Sequence, residues 1–248
     1  MQDTLIDLQK NGYCVLKQHF APPLIAASRE AFWPRLLRYL DEHGKEPNRG
    51  SRRHYVPMPF EAPCFAPGFF FDPEVLSIVR SLMKDRVVAD QWGCDVALQG
   101  SEYQGVHVDY RHPLFSELPD LPLPVYMLVV SFGLGPITLR DGPMEIAPGT
   151  HDMPRDHALR AVESGEIKME PISMEVGDAL IRHPWALHRG SPNMSIAPRA
   201  LVSIRYVRSW YDDKSRDVSL MPHVMWESLT SDQQNMMRFP VSRQGSHT

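Results

Sequence analysis

From residue 87 to residue 207 the apolar stretches are short and separated by segments rich in Gly and Pro. They fall at 87–91, 97–99, 125–132, 137–140, 144–147, 172–175, 179–182 and 200–207. Runs of this length read as strands, since helices need about 10–12 residues. Strands at such spacing, broken by Gly and Pro, build a sandwich or barrel. The Asp141-Gly142 pair is a strong hairpin-turn signal. The expected fold class is mainly β with flanking helices. A chain of 248 residues can bury a sizeable core, and β-barrels and sandwiches of that size are commonly undivided, so 1–248 is expected to be one domain.

Residues 1–86 are expected to support that core, 87–208 to form it and 209–248 to extend it. Within the first part, 11–20 reads as a strand starting beside Gly12, and Pro22 opens a helix to about residue 40, proline being acceptable in a first helical turn. Residues 41–67, rich in Pro, Gly and charge, read as a long loop, and long loops in small domains often serve as lids or binding loops. A short helix is expected at 73–83 and a capped one from Thr230. The proline-rich 118–124 reads as a rigid loop.

Composition narrows the partners. The net charge of −4 gives no global basic field, which argues against nucleic acid or an anionic membrane. Arg49, Arg52 and Arg53 form a local cluster that reads as part of a solvated loop. Cys14, Cys64 and Cys94 are odd in number, with no Cys-x-x-Cys pair and no secretory leader at Met1-Gln-Asp-Thr. No apolar run approaches the 18 or so residues of a membrane span. A soluble, cytoplasmic protein is expected.

His107-Val108-Asp109 carries the first chemical signal. Positions i and i+2 of an extended segment point to the same side, so His107 and Asp109 can grip one ion together. A third ligand has to come from elsewhere. His188 would complete two histidines and one carboxylate, a facial triad that leaves positions open and favours non-haem Fe(II). His183 competes for that place, but it stands five residues before His188, on the opposite face of a regular strand, and Pro184 follows it. Arg199 offers a planar, permanently charged fork for a carboxylate. Arg182 and Arg205 are alternative clamps.

The run Asp178-Ala-Leu-Ile-Arg-His-Pro-Trp-Ala-Leu-His188, with Arg199 eleven positions further on, resembles the distal-histidine signature of the phytanoyl-CoA dioxygenase-like (PhyH) family. Asp141-Gly-Pro-Met-Glu-Ile-Ala-Pro-Gly-Thr-His151 and Asn11-Gly-Tyr-Cys-Val-Leu are similar to two further family segments, and all of them occur in the family's order over about residues 5–208. The resemblance implies a double-stranded β-helix (a jelly roll, cupin-like) with N-terminal helices packed on one sheet. It implies Fe(II) as cofactor, with 2-oxoglutarate and O2 as co-substrates. Arg199 would bind the far carboxylate of 2-oxoglutarate. Gln99 lies near a position where relatives have a lysine or other polar residue touching it. Related halogenases have Ala or Gly at the position of Asp109, so the carboxylate argues for oxygenation. Asn193 and Ser195 match the motif and are expected to shape its loop through side-chain to backbone bonds.

The resemblance further implies oxidative decarboxylation of 2-oxoglutarate coupled to oxidation of a C–H bond in a small molecule, in the manner of relatives that tailor specialised metabolites. Arg111, just after the ligand triplet, and Trp185, three residues before the distal histidine, are the candidate substrate contacts; Arg111 in the cavity would favour an anionic substrate. Phytanoyl-CoA itself is not expected, because no strongly basic stretch lies near the mouth. Two rival readings use the same fold: a metal-dependent lyase or isomerase, and a non-catalytic protein that binds a small ligand. Succinate formation separates the oxygenase from both.

Overall fold

The computed structural model describes residues 2–84, 86–109, 117, 123–213 and 219–243. Its strands are β1 Tyr13–Leu16, β2 Arg53–Pro57, β3 Val87–Ala97, β4 Met127–Gly133, β5 Met144–Ile146, β6 Glu170–Ile172, β7 Ala179–Arg182, β8 His188–Gly190 and β9 Arg199–Arg208. They form two antiparallel sheets. The larger has six strands in the order β1-β7-β4-β9-β3-β2, and the smaller runs β6-β5-β8. His107 bridges to His188, laying the segment before Asp109 alongside β8. This is the double-stranded β-helix implied by the resemblance.

The helices are α1 Gln2–Asn11, α2 Pro22–His43, α3 Pro67–Phe70, α4 Pro73–Met83, α5 Arg155–Glu163, α6 His223–Glu227 and α7 Ser231–Met236. In α4, Asp72 caps the N-terminus by accepting from the backbone of Glu74 and Val75. Proline opens its first turn, and Lys84 closes it in the left-handed conformation. Its buried Val75, Leu76, Ile78, Val79 and Met83 recur at helical spacing. The expected cap of α7 is a full capping box between Thr230 and Gln233.

Side-chain alternation divides the large sheet into two environments. On β9, Val202, Ile204 and Tyr206 enter the main apolar core with Val130, Phe132 and Trp92, against Ile25 and Phe32 of α2, Phe69 of α3 and Val79 of α4. Each such side chain contributes about 1.5–3 kcal/mol on burial. The opposite face presents Leu180 and Leu201 to Ile146 and Ile172 of the smaller sheet, along with Arg182, Ser203 and Arg205, which the same alternation places there. That second face positions the site.

Several boundaries differ from the sequence reading. The 41–67 stretch contains β2, paired with Gly93–Ala97 as an edge of the large sheet. Its Arg53 and His54 are buried despite their polarity, which hid the strand within a charged stretch. Run 87–91 and Ala97 of the run 97–99 belong to one strand, bulged between Ala89 and Gln91, and Gln99 lies in the turn beyond it. No strand forms over 137–140. Ile137 makes a single bridge to Met174, and the Thr138 backbone then donates to Asp141 Oδ2, turning the chain. Asp141-Gly142 closes no hairpin. Gly142 has φ +73° and lies so close to the 191–193 backbone that a Cβ would stand 2.6 Å from the Ser191 carbonyl. The strand read at 172–175 is shifted to Glu170–Ile172. Among the described residues no helix is long and apolar enough to cross a membrane, and the three cysteines are free and buried.

Candidate metal centre and co-substrate site

β8 and the segment paired with it bring the metal-binding candidates together. The His107 backbone N–H donates to the His188 carbonyl and the His188 N–H to that of His107, both at 3.0 Å. Their rings lie 4.5 Å apart. Asp109 follows on the same side as His107, so ligand atoms of His107, Asp109 and His188 all fall within 4.8 Å of one another.

The protonation pattern fits a cation. Nδ1 of His107 lies 2.8 Å from the Gly105 carbonyl and Nδ1 of His188 lies 2.9 Å from that of Ala186. A carbonyl only accepts, so Nδ1 carries a proton in each ring and Nε2 is the atom left for a metal, as in metal-ligating histidines. Burial, then the charge of Arg182, pushes the His188 pKa down against the pull of Asp109, which favours the neutral ligand form. Burial alone would raise the Asp109 carboxyl, but Arg182 and His188 hold it well below the usual carboxylate range. His188 Nε2 and Asp109 Oδ1 then face each other at 3.4 Å, lone pair to anion. A cation between them resolves that apposition.

Arg199 opens β9 and is buried. Its Nε donates to the Gly142 carbonyl at 3.2 Å and its Nη1 to the Asp95 carbonyl at 3.1 Å, fixing the fork at the inner face. Asp95, two residues before the end of β3, shares that face; burial raises its carboxyl pKa and Arg199 opposes the rise. Asn193 shapes the preceding loop as expected, donating to the Ala97 and Ala197 carbonyls and accepting from the Ser195 backbone.

The other expected residues disperse. Gln99 is exposed on the turn after β3, where its carbonyl accepts from Arg52. Trp185 is half-buried and packs edge-on against Tyr126. Arg111 lies outside the described residues. His183 stands apart from the metal group: its Nδ1 accepts from the Trp185 backbone, and burial, with His151 and Arg182 nearby, pushes its pKa down to about 3. Arg205 is bound by both oxygens of Asp90 and by Asp213.

Two arginines take unexpected places. Arg182, on the inner face of β7, donates from Nη2 to Asp109 Oδ2, so it is a partner of the metal-site carboxylate. Its alternation with Leu180 in the strand was the available signal. Arg53, read as part of a solvated cluster, is buried and donates to the carbonyls of Glu102 and Ser191; burial, then Arg199, pushes its pKa down to about 10.

A structure with this architecture, AviO1 from Streptomyces viridochromogenes Tue57, superposes with a TM-score of 0.64 at 17% identity, over 86% of this chain and 96% of that one. The non-heme alpha ketoglutarate dependent carbocyclase SnoK from nogalamycin biosynthesis superposes at 0.63 and 16% identity, over 84% of each chain. The epimerase SnoN from the same biosynthesis gives 0.61 and 15%, over 84% of this chain and 82% of its own. At these identities the likeness speaks to the fold. The family model for phytanoyl-CoA dioxygenase (PhyH) matches residues 8–201, a span that contains the metal group and Arg199. The chain therefore belongs to the phytanoyl-CoA dioxygenase (PhyH) family, enzymes that use Fe(II), 2-oxoglutarate and O2.

Proposed function

We propose that this enzyme oxidises a C–H bond of a small molecule, in the simplest case R–H + 2-oxoglutarate + O2 → R–OH + succinate + CO2, within specialised-metabolite biosynthesis. The observation that carries the reading is the convergence of His107, Asp109 and His188, with Nδ1 of both rings on backbone carbonyls. When bound, Fe(II) supplies the redox chemistry that activates O2. The chain's own groups hold and orient: the three ligands fix the metal, Arg199 takes the far carboxylate of 2-oxoglutarate, and Asp109 occupies the place that a halogenase leaves for halide. One domain carries the whole of this, a reading supported by the shared core of Leu8, Phe32 and Phe239.

Hydroxylation is one outcome among several the fold accommodates, since solved structures of the same architecture include a carbocyclase and an epimerase.

Anaerobic titration of the metal-free protein with Fe(II) and then 2-oxoglutarate tests the assignment. A weak visible metal-to-ligand charge-transfer band, followed by succinate release in air, is the expected result. Tight binding of the metal with no band and no succinate would move the reading to a lyase or isomerase.

A further inference from the structure

Arg182 is the least satisfied charged group on the inner face. It is 95% buried, counting from its 5% exposure. Nη2 is taken by Asp109, whereas Nε and Nη1 are both buried without a hydrogen-bond partner among the described residues. Guanidinium donors out of water and without acceptors are costly. The contrast with Arg205 is direct. Across β4 from Arg182, in the same row of the sheet, Arg205 has two bonds to Asp90 and one to Asp213.

The charge count points the same way. Among the described residues Asp109 is the only counter-charge in contact with Arg182, and Asp109 is also a ligand candidate for the cation. A metal and Arg182 would then share that carboxylate, with Asp95 near enough to interact with Arg182 but out of contact. An added anion would supply an acceptor for Nη1 and a further negative charge beside the guanidinium.

We propose that Arg182 is an anion-binding residue beside the metal: a ligand carboxylate accepts from its Nη1 while Nη2 remains on Asp109. This rests on the oxygenase reading above and narrows it. Two carboxylates can meet the requirement, the keto-acid end of 2-oxoglutarate or an acidic group of the primary substrate, and binding measurements separate them.

The experiment uses the full chain loaded with Mn(II), which forms the complexes without turnover, as wild type, Arg182→Gln and Arg182→Lys, with circular dichroism confirming the fold. Calorimetric titration gives affinities for Mn(II) and 2-oxoglutarate. Ligand-observed NMR then compares phenylacetate with its neutral amide on the metal-free and the Mn(II)–2-oxoglutarate forms. In Arg182→Gln we expect Mn(II) affinity to fall by about tenfold as Asp109 loses its partner and, at saturating Mn(II), one carboxylate to weaken by about tenfold or more, with partial recovery in Arg182→Lys. Loss confined to 2-oxoglutarate identifies the co-substrate as the source. Loss of phenylacetate without loss of the amide identifies an acidic primary substrate. The inference is overturned if Arg182→Gln binds both carboxylates as wild type does, or loses acid and amide alike, or loses Mn(II) alone. A wild type that takes up neither Mn(II) nor 2-oxoglutarate would defeat the oxygenase reading instead, and the metal-free phenylacetate comparison would still decide Arg182.

Discussion

The two faces of the large sheet are made by the same strands and meet opposite demands. Along β9, Val202, Ile204 and Tyr206 pack outward against helices, and Tyr206 satisfies its one polar atom by donating to the Phe70 carbonyl. Arg199, Ser203 and Arg205 alternate with them on the inner face. There each polar group finds a partner: carbonyls for Arg199, the Ser131 hydroxyl for Ser203, Asp90 for Arg205. The outer face is stabilised by area removed from water, which tolerates any well-packed apolar shape. The inner face instead buries polar groups whose cost is offset only when partners stand in the right places. Function is concentrated where that cost is borne, and Arg182 marks the point at which the protein alone does not complete the balance.

The widest separation of the two faces is expected from His188→Ala. Removing one ligand should weaken metal affinity on the order of hundredfold or more and abolish the charge-transfer band, while circular dichroism shows the fold retained. A variant that unfolds would show that the inner face also holds the sheets together. Phe132→Ala probes the other side. Phe132 is fully buried, stacked on Phe69 at 4.6 Å, and its truncation should cost about 3–5 kcal/mol in urea unfolding, leaving metal binding per folded molecule unchanged.

Acid should act through a buried histidine. His183 has a folded pKa of about 3 against an unfolded value of about 6.5. The unfolded chain binds more protons between those values, so stability rises with pH across the window and falls as acid is added. From neutral pH to pH 5 this one group should remove about 2 kcal/mol. A melting-temperature series in which His183→Gln keeps the same pH slope as wild type would contradict the assignment. The smallest effect belongs to the inner hydroxyl pair. Ser131 and Ser203 meet at 2.8 Å, and Ser131→Ala should cost about 1 kcal/mol; no measurable loss would mean that the pair contributes little to the sheet.

Much of this architecture was legible because it rests on local chemistry. The apolar periodicity and cap of α4, the capping box at Thr230, the extended 179–182 and 200–207 runs and the His107-x-Asp109 geometry each depend on residues near one another in the chain. The elements that escaped were those whose residues contradict local pattern. β2 reads as a charged loop because Arg53 and His54 are polar, and only the partners across β3 and at Ser191 make their burial tolerable. The 137–140 segment has strand composition yet turns away, because Asp141 captures the Thr138 backbone.

By itself the sequence determined the β-rich fold and the pairing of His107 with Asp109, because alternation along a strand is a property of the polymer, while the family resemblance pointed to His188 and Arg199. The tertiary structure decided which arginine stands where. Arg53, Arg182, Arg199 and Arg205 are equivalent in composition, but one is held by carbonyls beside Ser191, one sits on Asp109, one opens β9 at the Asp95 carbonyl and one is neutralised by Asp90. The energy of a buried charge depends on the groups that surround it in space, and in this chain the groups assigned to each arginine come from strands and loops far apart in sequence.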